Sequence, residues 1–271
     1  MAAKELTSEE AKKLEELFLG RCRDNLQSAD DIINPLDDRT LRVNYDENYF
    51  IPHTQRRRVK EIMEESEIYD KPLLDRIPLG RYFHFDVYEF GIFDKTKKIA
   101  ISAYVRCNLK DFVKEEKSAT PTPSSDVESI RLAAMEEPDV FHYVGILGMC
   151  GFEDAARRLP LAGPNWEIAL VTHVEGTAFS VTHGDKARRK AVMALFDPEK
   201  KSEKFWRAKN LITSSPELTV SGGFVILSDL VESSGLSGEL VKKAAEEFCA
   251  QDKSVSMERV EGKLIIKHSR V

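Results

Sequence analysis

The chain is poor in the residues that would make its function easy to read. It has four cysteines, six histidines and two tryptophans among 271 residues. Cys22, Cys107, Cys150 and Cys249 are far apart and form no Cys-x-x-Cys pair. That spacing argues against a structural zinc site and against a disulfide scaffold, and leaves reduced, mostly buried thiols as the expectation. No apolar run approaches 18 residues, so no membrane span and no membrane partner are expected. The start, Met1-Ala2-Ala3-Lys4-Glu5, has no apolar signal region, which makes the expected address cytoplasmic. No repeat of 20–50 residues is visible. There is no Gly-x-x-x-x-Gly-Lys loop, no Gly-x-Gly-x-x-Gly, no Gly-x-Ser-x-Gly and no His-Glu-x-x-His. No excess of positive charge exists either. Forty Lys and Arg stand against forty-six Asp and Glu, a net charge of −6, so any nucleic-acid contact must use local basic patches.

What is present is enough apolar residue for real cores, 42% of the chain, in a length that suggests about two domains. Thr7-Ser8-Glu9-Glu10 reads as a capping box. Ala11, Leu14, Leu17, Phe18, Cys22 and Leu26 then follow close to helical spacing, giving an amphipathic opening helix that packs on the body or joins two protomers. Residues 29–53 read as irregular, broken at Asn34-Pro35 and Ile51-Pro52. A helix over about 54–69 opens on Arg56-Arg57-Arg58 and Lys60, charges unfavourable at a helix N-terminus and therefore candidate contacts for an anion.

The period then changes. Tyr82–Phe93 and Lys98–Cys107 are strand-like and flank Asp94-Lys95-Thr96-Lys97, the pattern of a β-hairpin. Alternation places His84, Asp86 and Tyr88 on one face, with Phe85, Val87 and Glu89 on the other. On the second strand Ser102, Tyr104 and Arg106 share a face opposite Ile99, Ile101, Ala103 and Val105. Residues 114–125 read as a mobile loop, and a helix follows over 126–137. Val140–Met149 is continuously apolar, as in a strand buried on both faces. A short helix at 153–159, a strand at 166–174 and a further strand at 178–182 complete the unit. Residues 183–210 are helical and hold the most basic stretch, nine basic against four acidic side chains. Lys186, Arg188, Arg189 and Lys190 lead it.

The tail has a recognisable element order. A short apolar segment at 224–227 precedes a helix capped by Ser228 and a turn at Ser234-Gly235-Leu236. A second helix, capped by Ser237, runs over 238–250, and a hairpin then turns on Glu261-Gly262. This order resembles a winged helix-turn-helix over 217–271. The resemblance implies a second helix in the major groove, with Lys242 and Lys243 exposed. It also implies a wing, carrying Arg259, Lys263, Lys267 and Arg270, on the DNA backbone. Seven bases against nine acids over 217–271 leave the alternative of protein contacts or dimerisation open.

The middle of the chain is carried by Tyr143-Val144-Gly145-Ile146-Leu147-Gly148-Met149-Cys150-Gly151-Phe152, the helix up to Leu159 and the strand Trp166–Val171. It resembles the restriction-endonuclease-like fold, in its Mrr-type branch, over about 80–182. Active members hold Mg²⁺ with an Asp on one strand and an acid two residues before a Lys on the next. The resemblance puts the first acid at Asp86, with Glu89 as the other candidate. The second pair falls on Tyr104 and Arg106, which cannot replace a carboxylate and a proton-carrying lysine. Nuclease chemistry is therefore expected to be lost. Pairing of Asp86 with Arg106 across the hairpin, joined by His84, is the structural alternative.

The expected architecture is α/β: a helical arm at 1–79, a restriction-endonuclease-like mixed sheet flanked by helices at 80–182, a basic helical connector at 183–216 and a winged helix at 217–271. The expected function is a non-catalytic nucleic-acid-associated or regulatory protein without a cofactor. Double-stranded DNA is its expected partner, and a homodimer is also considered. Two alternatives stand beside it. One is a Mg²⁺- or Mn²⁺-dependent endonuclease using Asp86, Glu89 and Glu167 or Glu175. The other is a winged-helix module for protein assembly.

Overall fold

A computed structural model describes residues 5–45, 50–91, 94–175 and 178–268, with the backbone alone at 175. The chain divides into two compact units, 1–198 and 199–271.

In the first unit, β1 (Leu6–Thr7) leads into α1 (Ser8–Gln27). The capping box forms: the Glu10 amide donates to Thr7 Oγ1 and the Thr7 amide to the Glu10 carboxylate. Residues 29–45 and 50–53 are more ordered than their composition suggests. They hold a hairpin, β2 (Asp31–Asn34) and β3 (Arg39–Arg42), and a strand, β4 (Phe50–His53). Ile32, Leu41 and Val43 bury against the main core, but each short strand offers too few apolar positions for its period to be read. After α2 (Arg56–Glu65) and α3 (Leu73–Arg76) comes the central hairpin, β5 (Tyr82–Phe90) and β6 (Lys95–Arg106). Its turn lies three residues earlier than expected, where the Gly91 amide donates to the Asp94 carbonyl.

Next are α4 (Leu109–Glu115) and β7 (Lys117–Ser118), which pairs with β1. The segment expected as a mobile loop is therefore tied down. Ser118 and Thr120 hydroxyls donate to Asp111 Oδ2 at 2.7 and 2.6 Å, and the Thr122 amide donates to the Gly151 carbonyl. The unit ends with α5 (Ser124–Met135), β8 (Phe141–Gly148), α6 (Asp154–Arg157), β9 (Trp166–Glu175), β10 (Ala178–His183) and α7 (Arg189–Phe196).

Six strands form one mixed sheet in the order β10-β9-β8-β6-β5-β4. Strands β6, β8 and β9 run parallel and the other neighbours antiparallel. Every residue of β8 is buried, as its apolar run requires. The two faces of the sheet are covered unequally. On one, α1, α2, α4, α7 and the β2–β3 hairpin pack on Phe83, Phe85, Val87, Ile99, Ile101 and their neighbours. On the other, α5 and α6 cover β8 and β9 through Val127, Ile130 and Ala156. The β4–β5–β6 half of that face carries mostly polar and aromatic side chains.

The second unit has its own core. It contains α8 (Lys201–Thr213), a 3₁₀ turn at Pro216–Thr219, β11 (Phe224–Ile226), α9 (Leu227–Ser234), α10 (Gly238–Gln251), β12 (Val255–Val260) and β13 (Lys263–His268). The sheet order is β11-β13-β12. Ile226, not Ser228, precedes α9, which has no side-chain cap. Gly235 ends that helix at φ +68°, and Ser237 accepts from the Leu240 amide to start α10. Glu261 and Gly262 both adopt positive φ in the β12–β13 turn, the geometry of a two-residue hairpin loop.

Candidate functional site

The polar half of the sheet is built in rows by strand register. His53, Tyr82 and Tyr104 are direct cross-strand partners. Their rings stack with centroids 4.5 Å apart at 13° and 5.1 Å apart at 23°. The Arg106 guanidinium lies 5.1 Å from the Tyr104 ring centre and extends the row. Its Nε is buried without a hydrogen-bond partner. One row along, His84 faces Ser102. His84 Nδ1 is 2.7 Å from Ser102 Oγ, and Nε2 is 2.9 Å from Asp86 Oδ1. The Tyr88 hydroxyl donates to Asp86 Oδ2 at 3.4 Å. Burial opposes charge on Asp86, but the hydrogen bond and charge of His84, aided by Lys97 and Tyr88, outweigh it and hold the carboxyl below its ordinary range. Beyond lies His142, beside Glu137 at 3.5 Å, with Lys97 bound to Glu137 at 2.6 Å. Desolvation chiefly lowers the His142 pKa.

The Ser102–His84–Asp86 chain has the atoms of an acyl-transfer triad but lacks its surroundings. Ser102 is buried, and β6 is paired on both sides, so its backbone amides are engaged in the sheet. An acyl oxyanion would find no aimed backbone donors there. The arrangement suits a fixed proton relay and a locked histidine ring.

The nuclease constellation does not assemble. Asp86 faces Ala100 while Tyr104 faces Tyr82, an offset of four residues or roughly 13 Å along the strands. Arg106 does not pair with Asp86; His84 takes that place because it lies two residues away on the same face. Glu89 points to the opposite face and pairs with Arg39 at 2.7 Å and Lys98 at 3.7 Å. Glu167 is fully buried and accepts from the Gly184 and Asp185 amides, both at 2.9 Å. Desolvation raises its pKa against those bonds. The Glu175 side chain lies outside the described residues. Among the described residues no group of three His, Cys, Asp or Glu could hold a metal ion, and the separation of Asp86 from Glu89 does not fit Mg²⁺ or Mn²⁺ held by two carboxylates.

The cations expected on nucleic acid separate into three kinds. Lys186, Arg189 and Lys190 are exposed before and at the start of α7. Arg188 turns inward: its guanidinium donates to the Gly163 and Trp166 carbonyls, lies 3.5 Å from Glu167 and sits over the Phe141 ring. Burial of Glu167 demands that neighbour, and sequence spacing alone did not separate Arg188 from Arg189. Arg57 and Arg58 pair with Glu61 and Glu65 along α2, while Arg56 is exposed at its first turn. In the second unit Lys242, Lys243, Arg259 and Lys263 are all exposed. Lys242 lies 3.6 Å from Glu246, and Lys209 of α8 binds Glu247 of α10 at 2.8 Å. Arg270 lies outside the described residues. Sequence reading missed His53, since β4 was read as irregular, and missed Ser102 as a partner of His84. The stacked row also needs the β4–β5–β6 register, which only pairing supplies.

A recess of about 560 Å³ between the start of α1 and α3 is lined by Lys12, Lys13, Glu16, Asp75, Arg76 and Glu116. No helix among the described residues is long and apolar enough to cross a membrane. No protein-family model matches the chain, and neither a curated protein nor a solved structure matches it.

Proposed function

We propose that the chain is a nucleic-acid-associated protein that binds without cutting, combining a restriction-endonuclease-like core with a winged helix. The observation that carries this reading is the second unit. The order helix, strand, helix, tight turn, helix, hairpin, with the first strand paired to the last, supports the winged-helix reading. It presents Lys242 and Lys243 on its last helix and Arg259 and Lys263 beside the hairpin turn. In the first unit, an antiparallel hairpin followed by parallel strands with intervening helices supports the nuclease-like reading. The scattered acids support its lack of cleavage chemistry. Lys186, Arg189 and Lys190 offer the first unit phosphate contacts of its own, which position nucleic acid without specifying sequence.

The test titrates a labelled 30-bp duplex at two salt concentrations, with and without Mn²⁺. Binding that weakens by about a hundredfold between roughly 50 and 200 mM salt is expected, for some four phosphate contacts, with the DNA left intact. Affinity indifferent to salt, or Mn²⁺-dependent cleavage, sinks the proposal.

A second reading, the same module as a protein-binding surface, is favoured by the self-paired charges of α10 and by exposed Val260 at the hairpin end. Capture of a protein partner that resists nuclease treatment, with no DNA binding, would establish it.

A further inference from the structure

We infer that the uncovered half of the six-stranded sheet is a stacking site for single-stranded nucleic acid, with a base continuing the ring row on the outer face of His53. This inference rests on the nucleic-acid reading above and names the strand state that the first unit takes.

Four observations converge on that place. First, the row His53–Tyr82–Tyr104 lies on the half-face that α5 and α6 leave bare, and of the three only Tyr104 packs against the core beneath those helices. A core has no need of rings stacked side by side at a sheet margin. Second, β4 is the last strand of the sheet. The inner face of His53 is taken by Tyr82, but no strand among the described residues lies on its outer side, and the residue is exposed. Third, the row lies near the carboxyl ends of the parallel strands β6, β8 and β9, where open α/β sheets bind ligands.

Fourth, the local charge suits a phosphate chain. Arg56, three residues beyond His53, is exposed at the start of α2, and the Arg106 guanidinium lies against the Tyr104 ring at the other end of the row. Arg57 and Arg58 are already engaged by Glu61 and Glu65. The acids beside the row are already engaged: Asp86 is hydrogen-bonded to His84 and Glu137 is paired with Lys97. Inside a duplex the faces of the bases are stacked on one another and only its ends expose one, whereas an unpaired strand can offer a base to His53 at any position. Stacking of this kind tolerates any base, because every base has a π-face.

The full chain is titrated by fluorescence anisotropy with labelled (dT)30 and with a 30-bp duplex, as wild type, His53→Ala and His53→Trp. Loss of one stacked base predicts a roughly 5- to 150-fold weaker (dT)30 affinity for His53→Ala. Duplex affinity should stay within about twofold, and His53→Trp should restore (dT)30 binding. His53 is exposed on an edge strand, so neither change disturbs the core. Unchanged (dT)30 affinity in His53→Ala, equal loss on both ligands, or wild type binding only the duplex would each overturn the inference while leaving the broader reading intact. Failure of the wild type to bind either ligand would overturn both.

Discussion

Single side chains in this protein carry charge into low dielectric, and each is matched by a specific partner. Glu15 on α1 is fully buried and accepts the Leu79 and Arg81 amides at 3.1 and 2.7 Å, with the Arg81 guanidinium 3.5 Å away. Burial pushes its carboxyl up against those bonds, so its ionisation opposes folding as pH rises. Asp86 has the opposite sign. His84 and its neighbours hold its folded pKa below the ordinary value, so its stabilisation is complete above the ordinary carboxylate range. That stabilisation is lost as pH falls through the lowered value. Asp86→Asn keeps the shape and removes the charge. It should cost about 1 kcal/mol at neutral pH, the scale of one hydrogen bond, and the gap between wild type and variant should close as pH falls below about 4. Urea midpoints at a series of pH values measure this, and a pH-independent gap would contradict it.

At the scale of elements, close approach decides which helix lies where. Gly145 in β8 leaves room for Phe196 of α7: a Cβ built there would sit 2.3 Å from Phe196 Cδ1. The buried ring cannot step aside without opening the core around Val192 and Leu195. Gly145→Ala should therefore destabilise the first unit by about 1–3 kcal/mol, the usual cost of overpacking. Gly20 in α1 is the contrast, with nothing within 4 Å of an added Cβ. Gly20→Ala should raise stability by up to about 1 kcal/mol through helix propensity alone. Chemical denaturation of the pair checks both signs together.

At the scale of the whole molecule, the two units are separate in their cores. The second gathers Ala208, Ile212, Leu218, Val225, Val241, Ala244 and Ile266 into one cluster, with α8 contributing as fully as the helices after it. Arg207 on α8 binds buried Glu199 through two nitrogens, at 2.9 and 2.7 Å, and donates to the Ser234 carbonyl. The start of the unit is thereby tied to α9. A fragment of residues 199–271 should melt cooperatively by circular dichroism, with the marginal stability of a small domain. One beginning at residue 217 should not, since it lacks α8. Cooperative melting of the shorter fragment would show that α8 is dispensable.

The sequence by itself determined the local features. These include the Thr7–Glu10 capping box, the alternation of β5 and β6, the doubly buried β8, the Gly235 turn and the Glu261-Gly262 hairpin. Each depends on residues within a few positions of one another, so its pattern is written in one stretch of chain. Only the tertiary structure decided what meets across strands. Asp86 takes His84 rather than Arg106, Glu89 faces away, Arg188 is drawn inward by Glu167, and His53 joins Tyr82 and Tyr104 in a row. These outcomes follow from register, which is set by long-range pairing and by the irregularity between Val87 and Tyr88. A one-residue slip sends a side chain to the other face, so spacing along one strand could not say which residues would share a site.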